Sequence, residues 1–139
     1  MFASSSLKSH HFLMPAVLVL CLIFARVHYG VLLFHTLAEL FSVVVGILML
    51  VIVWNTRQFT RNDFLVYLGI GYFWVAMLDT WHTFTVNGMP FFDIGNSEVT
   101  LHFWISTRFL EAVLLLSALL FLKRKLNSEL MLYGGGALF

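Results

Sequence analysis

Residues 65–92, LVYLGIGYFWVAMLDTWHTFTVNGMPFF, decide the fold. The stretch opens as an apolar helix with glycines and closes on Asp79 and His82, three residues apart. Asn87-Gly88 then marks a turn into water. An acid and a histidine at the end of a segment this greasy need partners from elsewhere in the chain.

The surroundings place that segment in a membrane. The chain has 139 residues, 60% of them hydrophobic and 11% charged. A soluble domain carries about 25% charged residues. The single cysteine, Cys21, excludes an internal disulfide and any multi-cysteine metal site. The largest basic run, Lys123-Arg124-Lys125, is too small for a nucleic-acid face.

Four long apolar runs follow one another. Residues 1–11 are a polar, serine-rich tail, and residues 12–139 form the membrane domain. The first span covers 12 to about 28. No A-x-A site closes it and Arg26 follows Ala25 directly, which argues against a cleaved signal peptide. Leu20 is too large for the residue before a lipoprotein cysteine. The second span is Val31 to Trp54, about 36 Å as helix and enough for the bilayer core. A polar turn is expected at 55–63, the third span at 64–84 and a turn-rich loop at 85–99. The fourth span is 101–122 and a polar turn follows at 123–129.

Residues 130–139 start a fifth apolar run. At ten residues it rises only about 15 Å, half a bilayer. The expectation is therefore an all-α, polytopic transmembrane helix bundle with four complete spans and a truncated fifth. A re-entrant or interfacial tail is the alternative. No internal repeat is visible.

Basic residues set the expected topology. Lys8, Arg57, Arg61, Lys123, Arg124 and Lys125 lie in alternate flanks, and Arg26 alone lies in the others, with Asp93 and Glu98. By the positive-inside rule the N-terminus is cytoplasmic and the loop after His82 faces out. Tyr29, Phe84, Phe91 and Phe92 suit anchoring at the outer interface. The outer halves of three spans then hold His35 and Glu39, Asp79 and His82, and Arg108 and Glu111.

Helical angle groups the same residues. His35, Glu39, Ser42 and Gly46 form one stripe. Tyr72, Ala76, Asp79 and Thr83 form another, with His82 at its edge. Trp104, Arg108 and Glu111 share a face, and His102 points away from it. Gly46 and Ala76 would permit close helix approach.

A charge at the bilayer centre costs roughly 2.5–3.5 kcal/mol even on lenient scales. These groups are therefore expected to face one another. A structural ion-pair network around Arg108 explains that clustering but leaves three carboxylates against one guanidinium. The excess needs protons, charged histidine or a cation. His35-x-x-x-Glu39 and Asp79-x-x-His82 each put two ligand types on one helical face, which suits one divalent ion such as zinc or iron. A proton-sensing or small-ligand site remains open beside it.

The motifs F-H-T-L-A-E-L (34–40), L-G-I-G-Y (68–72), L-D-T-W-H-T (78–83), N-G-M (87–89) and L-H-F-W-I-S-T-R-F-L-E-A (101–112) resemble the third type of membrane-associated sensor domain, MASE. The resemblance runs from about Val31 to Ala112. Val86 departs from it where an aromatic is expected, and His102 where a neutral polar residue is. It implies the N-terminal input module of a bacterial histidine kinase or diguanylate cyclase in the inner membrane, dimeric through its signalling parent and without catalysis of its own. His35, Glu39, Asp79, His82, Trp104, Arg108 and Glu111 fall on the family's polar positions. The family's usual seven or so spans imply that this chain is a fragment of a longer protein. An intramembrane metal-dependent oxidoreductase and a proton or ion transporter are the competing classes. Cys21 lies away from the motifs, which disfavours the first, and the lack of paired broken helices disfavours the second.

Overall fold

A computed structural model describes residues 10–60, 62–88 and 97–136. The tail with Lys8, Arg61, and residues 89–96 with Phe91, Phe92 and Asp93 lie outside the described residues, as do 137–139. The topology count and the outer aromatic anchors draw in part on those positions.

Among the described residues five α-helices follow in order: α1 His10–Tyr29, α2 Val31–Thr60, α3 Asp63–Phe84, α4 Ser97–Ala118 and α5 Ser128–Gly136. A 3₁₀ turn, Leu119–Leu122, continues α4. There is no strand among the described residues. The first four helices are long and apolar enough to cross a membrane, and α5, with nine residues, is not. The all-α reading and the short fifth segment agree with expectation.

The chain divides into two compact units, Met1–Ala38 and Glu39–Phe139. The first holds α1 and the opening turns of α2. Gly30 joins these helices at φ +89°, a conformation that a side chain would strain. Within α1, the Phe24 and His28 rings lie 4.3 Å apart.

The second unit is organised around α3, whose Val66, Ile70, Val75 and Ala76 are buried. It packs against α4, the 3₁₀ turn and α5. Glycines set the approach of its neighbours. A Cβ added to Gly46 of α2 would lie 2.8 Å from both the Ala76 Cβ and the Tyr72 carbonyl oxygen on α3. The close contact expected from Gly46 and Ala76 is therefore present. Gly69 makes room for Val53, and Gly71 for Leu114. At the other end of α3, Tyr67 shares a 2.6 Å hydrogen bond with Ser117 and stacks on Phe121 at 4.3 Å.

Boundaries differ from the sequence reading at the start of α4, which begins at Ser97 inside the stretch read as a loop, and at the end of α2. The polar stretch from Asn55 extends α2 to Thr60 instead of forming a turn. Its side chains support the helix locally. Asn55 donates to the Val51 carbonyl at 2.7 Å and Thr56 to that of Ile52 at 2.8 Å. Arg57 donates to the Trp54 carbonyl and lies 3.8 Å over the Trp54 ring. The break comes at Asn62, whose side chain caps α3 by accepting from the Leu65 N–H at 3.2 Å. The expected turn after α3 is present at Asn87-Gly88, where Gly88 has φ +95°.

Hydroxyls inside the helices return to their own backbone. Thr80, Thr83, Thr107 and Ser117 each donate to the carbonyl four residues earlier. Such bonds let polar residues sit in a hydrocarbon setting without exposing an unmet donor.

Candidate functional site: an intramembrane arginine–carboxylate cluster

Asp79 sits four turns into α3 and is 1% exposed. A carboxylate buried this deeply needs a charged or protonic partner. Arg108, in the middle of α4, supplies one. Its Nη2 donates to Asp79 Oδ1 at 2.7 Å and Oδ2 at 2.9 Å. Its Nη1 donates to Glu111 Oε2 at 2.7 Å, one helical turn further along α4. Tyr72, two turns before Asp79 on α3, donates its hydroxyl to Glu111 Oε1 at 3.3 Å. One guanidinium thus joins acids from two helices, and a phenol steadies the second acid.

Beside this network lies a cavity of about 20 Å³, walled by Ser42, Gly46, Tyr72, Ala76, Asp79, Arg108 and Glu111, with Val75. That volume suits one water, which needs roughly 10–15 Å³ and polar neighbours. Glu39, at the start of the second unit, is near enough to Arg108 for its charge to act on the guanidinium. Glu39, Asp79 and Glu111 therefore outnumber Arg108 in one electrostatic neighbourhood.

His82 follows Asp79 on the same helix and is 5% exposed. Its Nδ1 lies 3.0 Å from the Thr100 carbonyl oxygen on α4. Thr100 donates its hydroxyl to the Thr85 carbonyl, and Thr85 donates to the His82 carbonyl at 3.0 Å. These bonds tie the end of α3 to the first turn of α4. His82 is thus held by the backbone on the side of Nδ1.

The remaining expected residues are placed as follows. Trp104 is 45% exposed and does not line the cavity. His102 is exposed, as its helical angle implies. His35 belongs to the first unit, one turn before Glu39 on the continuous α2. Both oxygens of Asp79 face Arg108, so its role in this structure is that of an ion-pair partner.

Two participants were not singled out as site residues by the sequence. Tyr72 was readable, since it lies seven residues from Asp79 on the same stripe. Thr100 contributes through its carbonyl, for which a side-chain pattern holds no signal.

The fold and this cluster define a polytopic helical membrane protein that keeps ionisable groups within its spans. Such groups mark functional sites by default, because their insertion is costly. The chain belongs to the MASE3 family, described as a membrane-associated sensor domain, whose sequence model matches residues 26–139. That match covers more of the chain than the motifs between Val31 and Ala112 alone. No curated protein and no solved structure matched the chain.

Proposed function

We propose that this sensor domain detects its signal through the Asp79–Arg108–Glu111 cluster and regulates a fused cytoplasmic histidine kinase or diguanylate cyclase. The observation that carries the reading is Arg108, which holds acids of α3 and α4 at once. A ligand, proton or ion that alters the charge at Asp79, Glu111 or Glu39 changes which acid Arg108 favours. That change shifts α4 against α3 by the small displacements that switch packed helices. The signal must bind the two arrangements with different affinity, since equal affinity shifts nothing.

Output of the intact parent protein tests this reading. Asp79→Asn and Glu111→Gln, each well folded and inserted, are expected to change basal kinase or cyclase output in opposite directions. Typical coupling energies make the change about fivefold or more. Wild-type output and an unchanged response in both variants would sink the proposal.

A divalent metal is the second reading. It is supported by the spacings His35-x-x-x-Glu39 and Asp79-x-x-His82 on α2 and α3. In that reading the metal supplies the cation that the acid excess calls for.

A further inference from the structure

The second unit carries a much larger space than the one beside Arg108. A groove of about 630 Å³ runs between α3, α4 and α5. Trp74 and Leu78 wall it from α3, Phe109 and Val113 from α4, and Leu130 and Met131 from α5. Its size falls within the roughly 300–1,000 Å³ of small-molecule sites. Its walls are overwhelmingly apolar, and it does not touch the ion-pair cluster.

The connection between two of those walls is basic. Between the 3₁₀ turn that ends α4 and the start of α5 lie Lys123, Arg124 and Lys125, all exposed. None of the three pairs with an acid among the described residues. The nearby Asp63 carboxylate is engaged elsewhere, accepting from the Leu126 N–H at 3.2 Å. Glu129 is the single acid in the first turn of α5. The turn therefore presents a net positive charge at the end of a membrane-crossing helix.

We propose that this groove and turn form a binding site for one anionic phospholipid. An acyl chain occupies the groove, and the headgroup phosphate rests on Lys123, Arg124 and Lys125. Inside a bilayer a groove of this kind fills with hydrocarbon, so the apolar walls alone select no particular lipid. The charge complementarity of the turn makes the selection. Each basic residue next to the membrane surface strengthens the attraction to anionic lipid by roughly fivefold. The positive-inside rule accounts for the same charges with no bound lipid, and the experiment separates the two.

The whole chain, purified in mild detergent, is titrated with phosphatidylglycerol and phosphatidylcholine of matched acyl chains. Bound lipid is counted by native mass spectrometry. The expected result is one phosphatidylglycerol held at least about tenfold more tightly than phosphatidylcholine. The combined Lys123→Gln, Arg124→Gln and Lys125→Gln variant is expected to lose that preference. Gly134→Leu tests the groove separately. Gly134 lines the groove and a Cβ there meets nothing within 4 Å, so the substitution adds apolar volume at the groove wall without a clash at Cβ. It is expected to lower retention of phosphatidylglycerol with the basic turn intact. Equal retention of both lipids by the wild type overturns the proposal, as does a preference that survives the triple substitution. Full retention by Gly134→Leu overturns the seating of the acyl chain in the groove.

Discussion

One terminal nitrogen of Arg108 reaches both oxygens of Asp79, at 2.7 and 2.9 Å. The other terminal nitrogen is left for Glu111. Asp79 lies buried, with its side chain 2% exposed, whereas the Arg108 side chain is 40% exposed. The pair is thus anchored on the α3 side and open on the α4 side. Removing either partner exposes a different defect.

Arg108→Leu leaves Asp79 and Glu111 without their shared guanidinium. Asp79→Asn leaves Arg108 its bond to Glu111 and reduces the acid excess by one. Breaking a buried pair from one side costs about 3–5 kcal/mol where the remaining charge is uncompensated. The full cost is expected for Arg108→Leu and a clearly smaller one for Asp79→Asn. Arg108→Lys is expected to fall between them, since an ammonium presents no planar fork to reach both acids. Thermal unfolding of the purified variants in detergent gives the order, and Asp79→Asn as the worst of the three contradicts it.

Glycine positions give a second prediction. At Gly46 an added methyl meets the backbone oxygen of Tyr72 at 2.8 Å, and backbone on a packed helix has little freedom to move. At Gly134 the same methyl meets open space. Gly46→Ala is expected to destabilise the protein by about 1–3 kcal/mol, the usual range for overpacking. Gly134→Ala is expected to be neutral or to stabilise α5 by up to about 1 kcal/mol through helix propensity. Melting temperatures moving in the same direction for both would contradict the packing of α2 on α3.

Much of this arrangement was legible because membrane spans restrict the options. Long apolar runs give helices, and the cost of charge in lipid makes isolated acids implausible. Asp79, Arg108 and Glu111 therefore group by sequence alone, and Gly46 and Ala76 mark a close contact. The end of α2 was not legible. Asn55, Thr56 and Arg57 read as turn residues by type, yet their side chains bond to carbonyls within the same helix. Whether a polar residue caps, turns or back-bonds depends on the conformation it already occupies. The division of labour between Asp79 and His82 was also hidden. Spacing put them on one face, but the first is paired with an arginine and the second with the Thr100 carbonyl.

Tyr67 allows the far end of the α3–α4 contact to be measured alone. Its hydroxyl meets Ser117 at 2.6 Å while its ring stacks on Phe121. Tyr67→Phe removes the hydroxyl and keeps the ring. In membrane proteins such a bond contributes about 0.6 kcal/mol on average. The expected coupling in a Tyr67→Phe, Ser117→Ala double-mutant cycle is of that order. Tyr67→Ala is expected to cost distinctly more, through the lost stack. Equal losses for Tyr67→Phe and Tyr67→Ala would remove the ring from the account.

The metal proposal rests on spacing, and elemental analysis tests it directly. His35 and Glu39 lie one turn apart on α2, and Asp79 and His82 nearly so on α3. The expected result is a stoichiometric divalent ion on purified protein, lost in His35→Ala and in His82→Ala. His102, exposed on α4, serves as the control, and His102→Ala is expected to keep the metal. The Nδ1 of His82 lies 3.0 Å from the Thr100 carbonyl oxygen, and a second-shell carbonyl of this kind is usual for metal-bound imidazole. Asp79→Asn is expected to act differently from the histidine variants, because its oxygens are directed at Arg108. Metal content unchanged by His82→Ala, or absent from folded wild-type protein, removes the ion. The acid excess around Arg108 then falls to protons or charged histidine.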